Sequence, residues 1–286
     1  MTSDTSSCSG SVPIVREIWS LEWQNHGESA IINHSALVDD PSVLSLREWE
    51  VAARHFVIMK AREGHRLVGI GHSIGSCMLL RSTMSLPRGF HMPYVAMAFI
   101  ADSLCTRQAW ASPTNRFRHN LDLAGKASGR RPGTWADRGQ AYQYFSSDKL
   151  FKFWDRRILE LYLTHALRET LPSEPNHPGI TLACTRVWER DWYCGAEYEL
   201  LLGASDHLRT LDPAFPIHCI YGTREDFIPQ SCHDSILADR SMASVHHIEN
   251  AGHAVVQENP DGVALCLRRI LEDISASQVQ AQKPKL

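Results

Sequence analysis

The chain has 286 residues, and its 29 Lys and Arg against 32 Asp and Glu leave a net charge of −3, with no basic surplus to suggest a nucleic-acid footprint. A hydrophobic content of 43% is too high for a disordered chain, and the length suffices to bury a sizeable core in one large domain or two small ones. No run approaches the roughly 20 apolar residues of a membrane helix, and the polar stretch Met1 to Gly10 has no apolar segment of the kind a secretory signal needs.

The eight cysteines, at 8, 77, 105, 184, 194, 219, 232 and 266, form no CxxC pair. Several sit in apolar runs, so reduced, buried thiols in an intracellular protein are expected and a zinc site is not. Neither a metal nor a cofactor is expected.

Residues 1 to 12 read as a disordered leader. Ile14 to Trp23 is rich in β-branched and aromatic residues and stops at Asn25-His26-Gly27, which predicts a strand and a turn. Pro41 to Arg62 has helical spacing, with Ser42 as a candidate cap. Arg66 to Gly71 predicts a strand buried on both faces, Ser73 to Ser82 a helix, and Tyr94 to Ala101 another strand. Strands alternating with helices imply a mostly parallel sheet with flanking helices.

From 105 to 206 strand-like runs disappear, and the segment reads as a helical insertion. Lys149 to Arg168 predicts a helix or helix pair, Leu171 to Pro178 a loop, and Lys126 to Arg131 a solvated loop rather than an anion site. Trp135, Trp154, Trp188 and Trp192 either line an apolar pocket or serve as packing aromatics. The sheet pattern returns with a strand at Ile217 to Tyr221, a helix at Gln230 to Arg240 and a strand at Ser244 to Ile248. A last amphipathic helix spans Val255 to Ile274. The resulting organisation is a core of 13–104 and 207–275, an insertion of 105–206, and a polar, flexible tail of 276–286.

Gly71-His72-Ser73-Ile74-Gly75 fits G-x-S-x-G between a strand and a helix. That setting holds a serine out of a sharp turn at the sheet edge, with both glycines expected to avoid clashes with strand and helix. The backbone N–H of Ile74 then faces a developing oxyanion at a helix N-terminus. A serine hydroxyl needs a base. His253, in Ala251-Gly252-His253, lies on a loop after the last strand, at the sheet edge where ligands bind. His246 and His247 lie within that strand and read as structural. A carboxylate that orients the base is expected after the preceding strand, where Asp226 follows Tyr221-Gly222. Glu225 and Asp102 are its competitors.

GHSIG, the YGTREDFIP loop and NAGHAVVQENP together resemble the α/β-hydrolase superfamily over most of residues 14 to 275. Trp23 to Ser29 is similar to that family's D-x-R-G-H-G-x-S loop. The resemblance implies the α/β-hydrolase fold, with 105–206 as its lid. It further implies a serine hydrolase that cleaves a small-molecule ester or thioester with Ser73, His253 and Asp226. A serine at the elbow argues against epoxide hydrolysis and dehalogenation. The insertion's TWADRGQAYQYF, FKFWDRRILELYLTHALRE and GITLACTRVWERDWY are similar to fungal hydrolases of host-selective, decatrienoic-acid toxin biosynthesis. The family also places a strand and an HG-type loop, donor of a second oxyanion N–H, ahead of Ile14. Nothing here matches them, so a sheet without its first three strands is expected. The alternative function is a weak or inactive scaffold that binds a ligand or partner. Finally, Pro284-Lys285-Leu286 resembles a C-terminal S-K-L address, which implies a peroxisomal import receptor as partner, with the cytoplasm as the alternative location.

Overall fold

The computed structural model describes residues 15–39, 45–174, 176–194 and 197–281. Chain order opens with two short helices, α1 (Gly27–Ile32) and α2 (His34–Asp39), and the long α3 (Leu46–Arg62). Strand β1 (Leu67–His72), helix α4 (Ile74–Ser82) and strand β2 (Tyr94–Ile100) follow. The insertion holds α5 (Arg107–Ala111), α6 (Phe117–Arg130), β3 (Thr134–Trp135), α7 (Arg138–Ser147), α8 (Arg156–His165), β4 (Leu167–Glu169), β5 (Ile180–Leu182) and α9 (Arg186–Cys194). Then come α10 (Tyr198–Leu208), β6 (Ile217–Gly222), α11 (Gln230–Asp239), β7 (Ser244–Ile248), α12 (Val255–Glu258) and α13 (Pro260–Ala281).

The main sheet has four parallel strands in the order β1-β2-β6-β7. Alternation sorts its side chains. Met97 and Phe99 of β2 and Ile217, Cys219 and Tyr221 of β6 pack against Cys77, Met78 and Leu80 of α4 and Leu200, Leu201 and Ala204 of α10. Ala96, Ala98 and Ile100 of β2 and Ile220 of β6 face the other way, onto Val263, Cys266, Ile270 and Ile274 of α13. A sheet covered on both faces explains why β2 reads as an unbroken apolar run. Cys77, Cys105, Cys219, Cys232 and Cys266 are buried free thiols. No described helix is long and apolar enough to cross a membrane.

Several expectations are corrected. Residues 15–23 form no strand. They pair with no neighbouring strand, and their aromatics dock sideways instead, Trp19 on Phe56 and His65 and Trp23 on Trp49. Helix α3 begins at Leu46 and is capped by Ser45, whose hydroxyl accepts the Glu48 N–H at 3.2 Å. Ser42 lies outside the described residues, as do residues 1–12. Among the described residues β1 is an edge strand, with no strand before Leu67.

The insertion is not purely helical. Strands β3, β5 and β4 form a small antiparallel sheet. Trp135 and Trp154 pack in the insertion's own core with Phe145, Phe151 and Tyr162. Trp188 lies beside His34, and Trp192 stands edge-on to Trp23. Lys126 to Arg130 belong to α6, and buried Arg131 ion-pairs with Glu189. Helix α10, placed largely in the insertion by the sequence, packs in the main core. The last helix is broken at Asn259 and restarts at Pro260, a residue suited to a first helical position. It runs on to Ala281, so the expected flexible tail is helical that far. Residues 282–286, including Pro284, Lys285 and Leu286, lie outside the described residues.

Candidate active site

Ser73 sits between β1 and α4 with φ 53° and ψ −121°, a strained turn that an L-residue adopts only when its surroundings impose it. The first glycine of the motif is required. A Cβ on Gly71 would lie 2.5 Å from the Ser76 nitrogen. Gly75 differs from expectation, because a Cβ there meets nothing within 4 Å. The strand's last turn is tied down by Ser76, whose hydroxyl donates to the Gly71 carbonyl at 2.8 Å. Ile74 is the first residue of α4. Its N–H is one of the helix-opening donors that have no intrahelical acceptor.

The loop after β7 brings His253 to this turn. Its Nε2 lies 2.8 Å from Ser73 Oγ. His72 holds the loop from below, because its Nε2 lies 2.9 Å from the His253 carbonyl and must therefore be the donor. The two rings sit 5.4 Å apart. Phe227 covers the far side of His253 at 5.1 Å.

Asp226 reaches the same loop, but by its backbone. Oδ1 accepts the His253 N–H at 2.9 Å and the Phe227 N–H at 2.6 Å. Oδ2 faces Arg224 at 3.3 Å. Arg224 in turn is bound by both oxygens of Glu258 and donates to the Asn250 carbonyl. Gly252 permits this arrangement, since a Cβ there would fall 1.8 Å from Asp226 Oδ2. The His253 Nδ1 is buried with no hydrogen-bond partner among the described residues. The expected contact between a carboxylate and the ring is thus absent, and Asp226 shapes the loop instead. Of its competitors, Glu225 is exposed and accepts the Gln230 N–H at the start of α11.

Asp102 is fully buried just past β2. Its carboxyl accepts the Leu104 N–H at 3.0 Å and the Tyr221 O–H at 2.9 Å. Its backbone carbonyl accepts from His233 Nε2 at 3.2 Å. These bonds fix the next residue, Ser103, whose Oγ lies 2.8 Å from Ser73 Oγ. Sequence reasoning missed Ser103 and the clamping role of Asp102. The available signal was position, because the residues that end adjacent parallel strands share one edge.

Burial pushes the His253 pKa well below its ordinary value, helped by repulsion from His72 and His233. His26, His72, His207 and His218 are also lowered, burial being the main cause in each. The sign is fixed by linkage. Below about pH 6.5 the unfolded chain takes up protons that the folded chain refuses. Stability is therefore full above that pH and is lost as pH falls through the lowered folded values. The urea midpoint is expected to be lower at pH 5 than at pH 7.5, and an unchanged or higher midpoint would contradict this.

Among the described residues no group of His, Cys, Asp and Glu is arranged to hold a metal. The profile of the alpha/beta hydrolase family matches residues 9–264. The chain belongs to the alpha/beta hydrolase family. The hydrolase is similar in structure to peroxisomal alpha-beta-hydrolase Lpx1 of Saccharomyces cerevisiae, with a TM-score of 0.64 and 16% identity over 92% of this chain and 67% of that one. It is also similar to E-2-(acetamidomethylene)succinate hydrolase, at TM-score 0.55 and 11% identity over 78% of this chain and 72% of that one. The Mycobacterium tuberculosis esterase Rv0045c gives 0.54 and 14% over 78% and 69%. At these identities the likeness is one of fold. No curated protein matches the hydrolase significantly in sequence.

Proposed function

We propose that the hydrolase cleaves a carboxylic ester or thioester through an acyl-enzyme on Ser73. The observation that carries this reading is the 2.8 Å approach of His253 Nε2 to a serine hydroxyl held in a strained turn. His253 Nε2 takes the Ser73 proton as Oγ attacks the carbonyl carbon, and the Ile74 N–H faces the oxyanion. The protonated His253 returns the proton to the departing alcohol or thiol. Water, activated by the same nitrogen, then releases the acid and restores Ser73. A fluorophosphonate probe tests the proposal. Wild type is expected to label and Ser73→Ala is not. Equal labelling of both, or none of wild type, defeats the reading.

One observation favours a weak or non-hydrolytic scaffold instead: the carboxylate of Asp226 holds backbone, leaving the ring Nδ1 without a partner among the described residues. Turnover of a short-chain p-nitrophenyl ester decides between the two, since Ser73-dependent activity rules out the scaffold. On the hydrolase reading, Asp226→Asn is expected to lower kcat by much less than the roughly 10⁴-fold loss typical of a ring-bound aspartate. Steady-state kinetics of that variant check this.

A place in fungal secondary-metabolite (toxin) biosynthesis is part of the proposal and rests only on the resemblance of the 105–206 segment. So is a peroxisomal location, for which the support is Pro284-Lys285-Leu286. An N-terminal fluorescent fusion is expected to be punctate, and to turn diffuse when these three residues are deleted. A diffuse signal from both overturns the location.

A further inference from the structure

We infer that His72 is a positioning residue: by donating to the His253 carbonyl it ties the base to the turn that carries the nucleophile, and so supplies the alignment that a carboxylate on the ring would otherwise give. The inference rests on the hydrolytic reading above and concerns what aims its base.

A carboxylate that accepts from Nδ1–H orients a catalytic imidazole through the ring itself. His253 has no such partner among the described residues. Its backbone is held instead, at both polar groups. Asp226 Oδ1 accepts the His253 N–H at 2.9 Å, and His72 Nε2 donates to the His253 carbonyl at 2.9 Å. The two bonds differ in their surroundings. The Asp226 bond is exposed, so water can stand in for it, whereas the His72 bond is partly buried.

The two anchors also differ in what carries them. Asp226 lies on a loop after β6. His72 ends β1, where it is paired with Ile100 of β2, and the N–H of the next residue, Ser73, donates to the Ile100 carbonyl at 2.9 Å. The His72 donor is therefore fixed to the sheet. It also keeps its proton in either charge state. Burial lowers the His72 pKa, and the neutral ring still carries Nε2–H, because a carbonyl can only accept.

His72 and Ser73 are neighbours in the chain, which closes a circuit. Ser73 Oγ meets His253 Nε2 at 2.8 Å, the His253 carbonyl meets His72 Nε2, and a peptide bond joins His72 to Ser73. If the circuit is opened at His72, the base keeps its link to the elbow only through the Ser73 contact, which breaks in every turnover. A displacement of about 1 Å in a reacting group can cost about 100-fold in rate.

The test uses the full chain as wild type, His72→Ala, His72→Asn and His72→Gln. Gln places an amide nitrogen where His72 has Nε2. Asn places one where His72 has Nδ1, too short to reach the carbonyl. Gln and Asn both remove the ring, so their difference reports the hydrogen bond. Fluorophosphonate labelling rates and the kcat and KM of a p-nitrophenyl ester are measured per folded molecule, with folding checked by urea midpoint. Hydrogen exchange of the His253 amide reports the loop without catalysis. His72→Ala and His72→Asn are expected to slow labelling and lower kcat by about 10- to 100-fold, with KM within about twofold of wild type. Their His253 amide is expected to exchange about tenfold faster. His72→Gln is expected to recover most of the rate and of the protection. If His72→Ala fails to fold, His72→Asn against His72→Gln carries the comparison. A wild-type kcat in folded His72→Ala or His72→Asn overturns the inference. So does a folded His72→Gln as slow as His72→Asn. A wild type that takes up no probe defeats the hydrolytic reading, while amide exchange in His72→Asn and His72→Gln still decides whether His72 fixes the loop.

Discussion

Ser73→Ala and His253→Ala are each expected to lower ester turnover by about 10⁴- to 10⁶-fold, and the double variant by no more than the worse of the two. The two side chains act as one unit, because the hydroxyl is inert without a base and the base has no other proton to move. Their contact at 2.8 Å is the only route by which the Ser73 proton reaches nitrogen in the described site. Additive losses, measured as kcat/KM on one ester, would mean that the groups act in separate steps. Residual activity above water is expected in all three variants, because Ile74 still opens α4 with an N–H that has no intrahelical acceptor and is free to meet an oxyanion. His253 is neutral to low pH, being buried and repelled by His72 and His233. The acid limb of any His253-dependent rate is therefore expected below the ordinary imidazole range.

Much of this site is legible in the chain. The apolar runs at 94–100 and 217–222 are the two central strands because a two-sided buried sheet admits little else, whereas 67–72 and 244–248 form its edges, where Ile70 and Val245 stay exposed. Once they are placed, Ser73 and His253 fall on one edge. What escapes is decided by neighbours distant in sequence. Ile14 to Trp23 has strand propensity, but propensity forms no ladder without a partner, and its aromatics find α3 instead. Strands β3, β4 and β5 are two or three residues long, too short to show a period. The orientation of Asp226 follows from Arg224, from the missing Cβ of Gly252 and from two N–H groups, none of which a motif records. Ser103 is invisible for the same reason: the signal is its place after β2, not its type.

Asp102→Ala is expected to cost about 2–5 kcal/mol of stability, the largest loss from a single side chain near the site. The carboxyl is fully buried and joins two chain segments, accepting from Leu104 N–H and from the Tyr221 O–H across the β2–β6 boundary. Truncation leaves both donors in a dry environment. Burial and the Asp102 group both push the Tyr221 phenol pKa up, so the phenol stays a donor across the working range and cannot escape by ionising. At about 2–4 °C per kcal/mol, the melting temperature should fall by roughly 5–15 °C. Asp102→Asn keeps the shape and one acceptor, and the phenol can turn to accept from the amide, so a smaller loss is expected. Tyr221→Phe removes one donor and should cost about 1–3 kcal/mol. Urea midpoints order the three variants. A loss under about 1 kcal/mol for Asp102→Ala would show that water enters to replace the carboxyl.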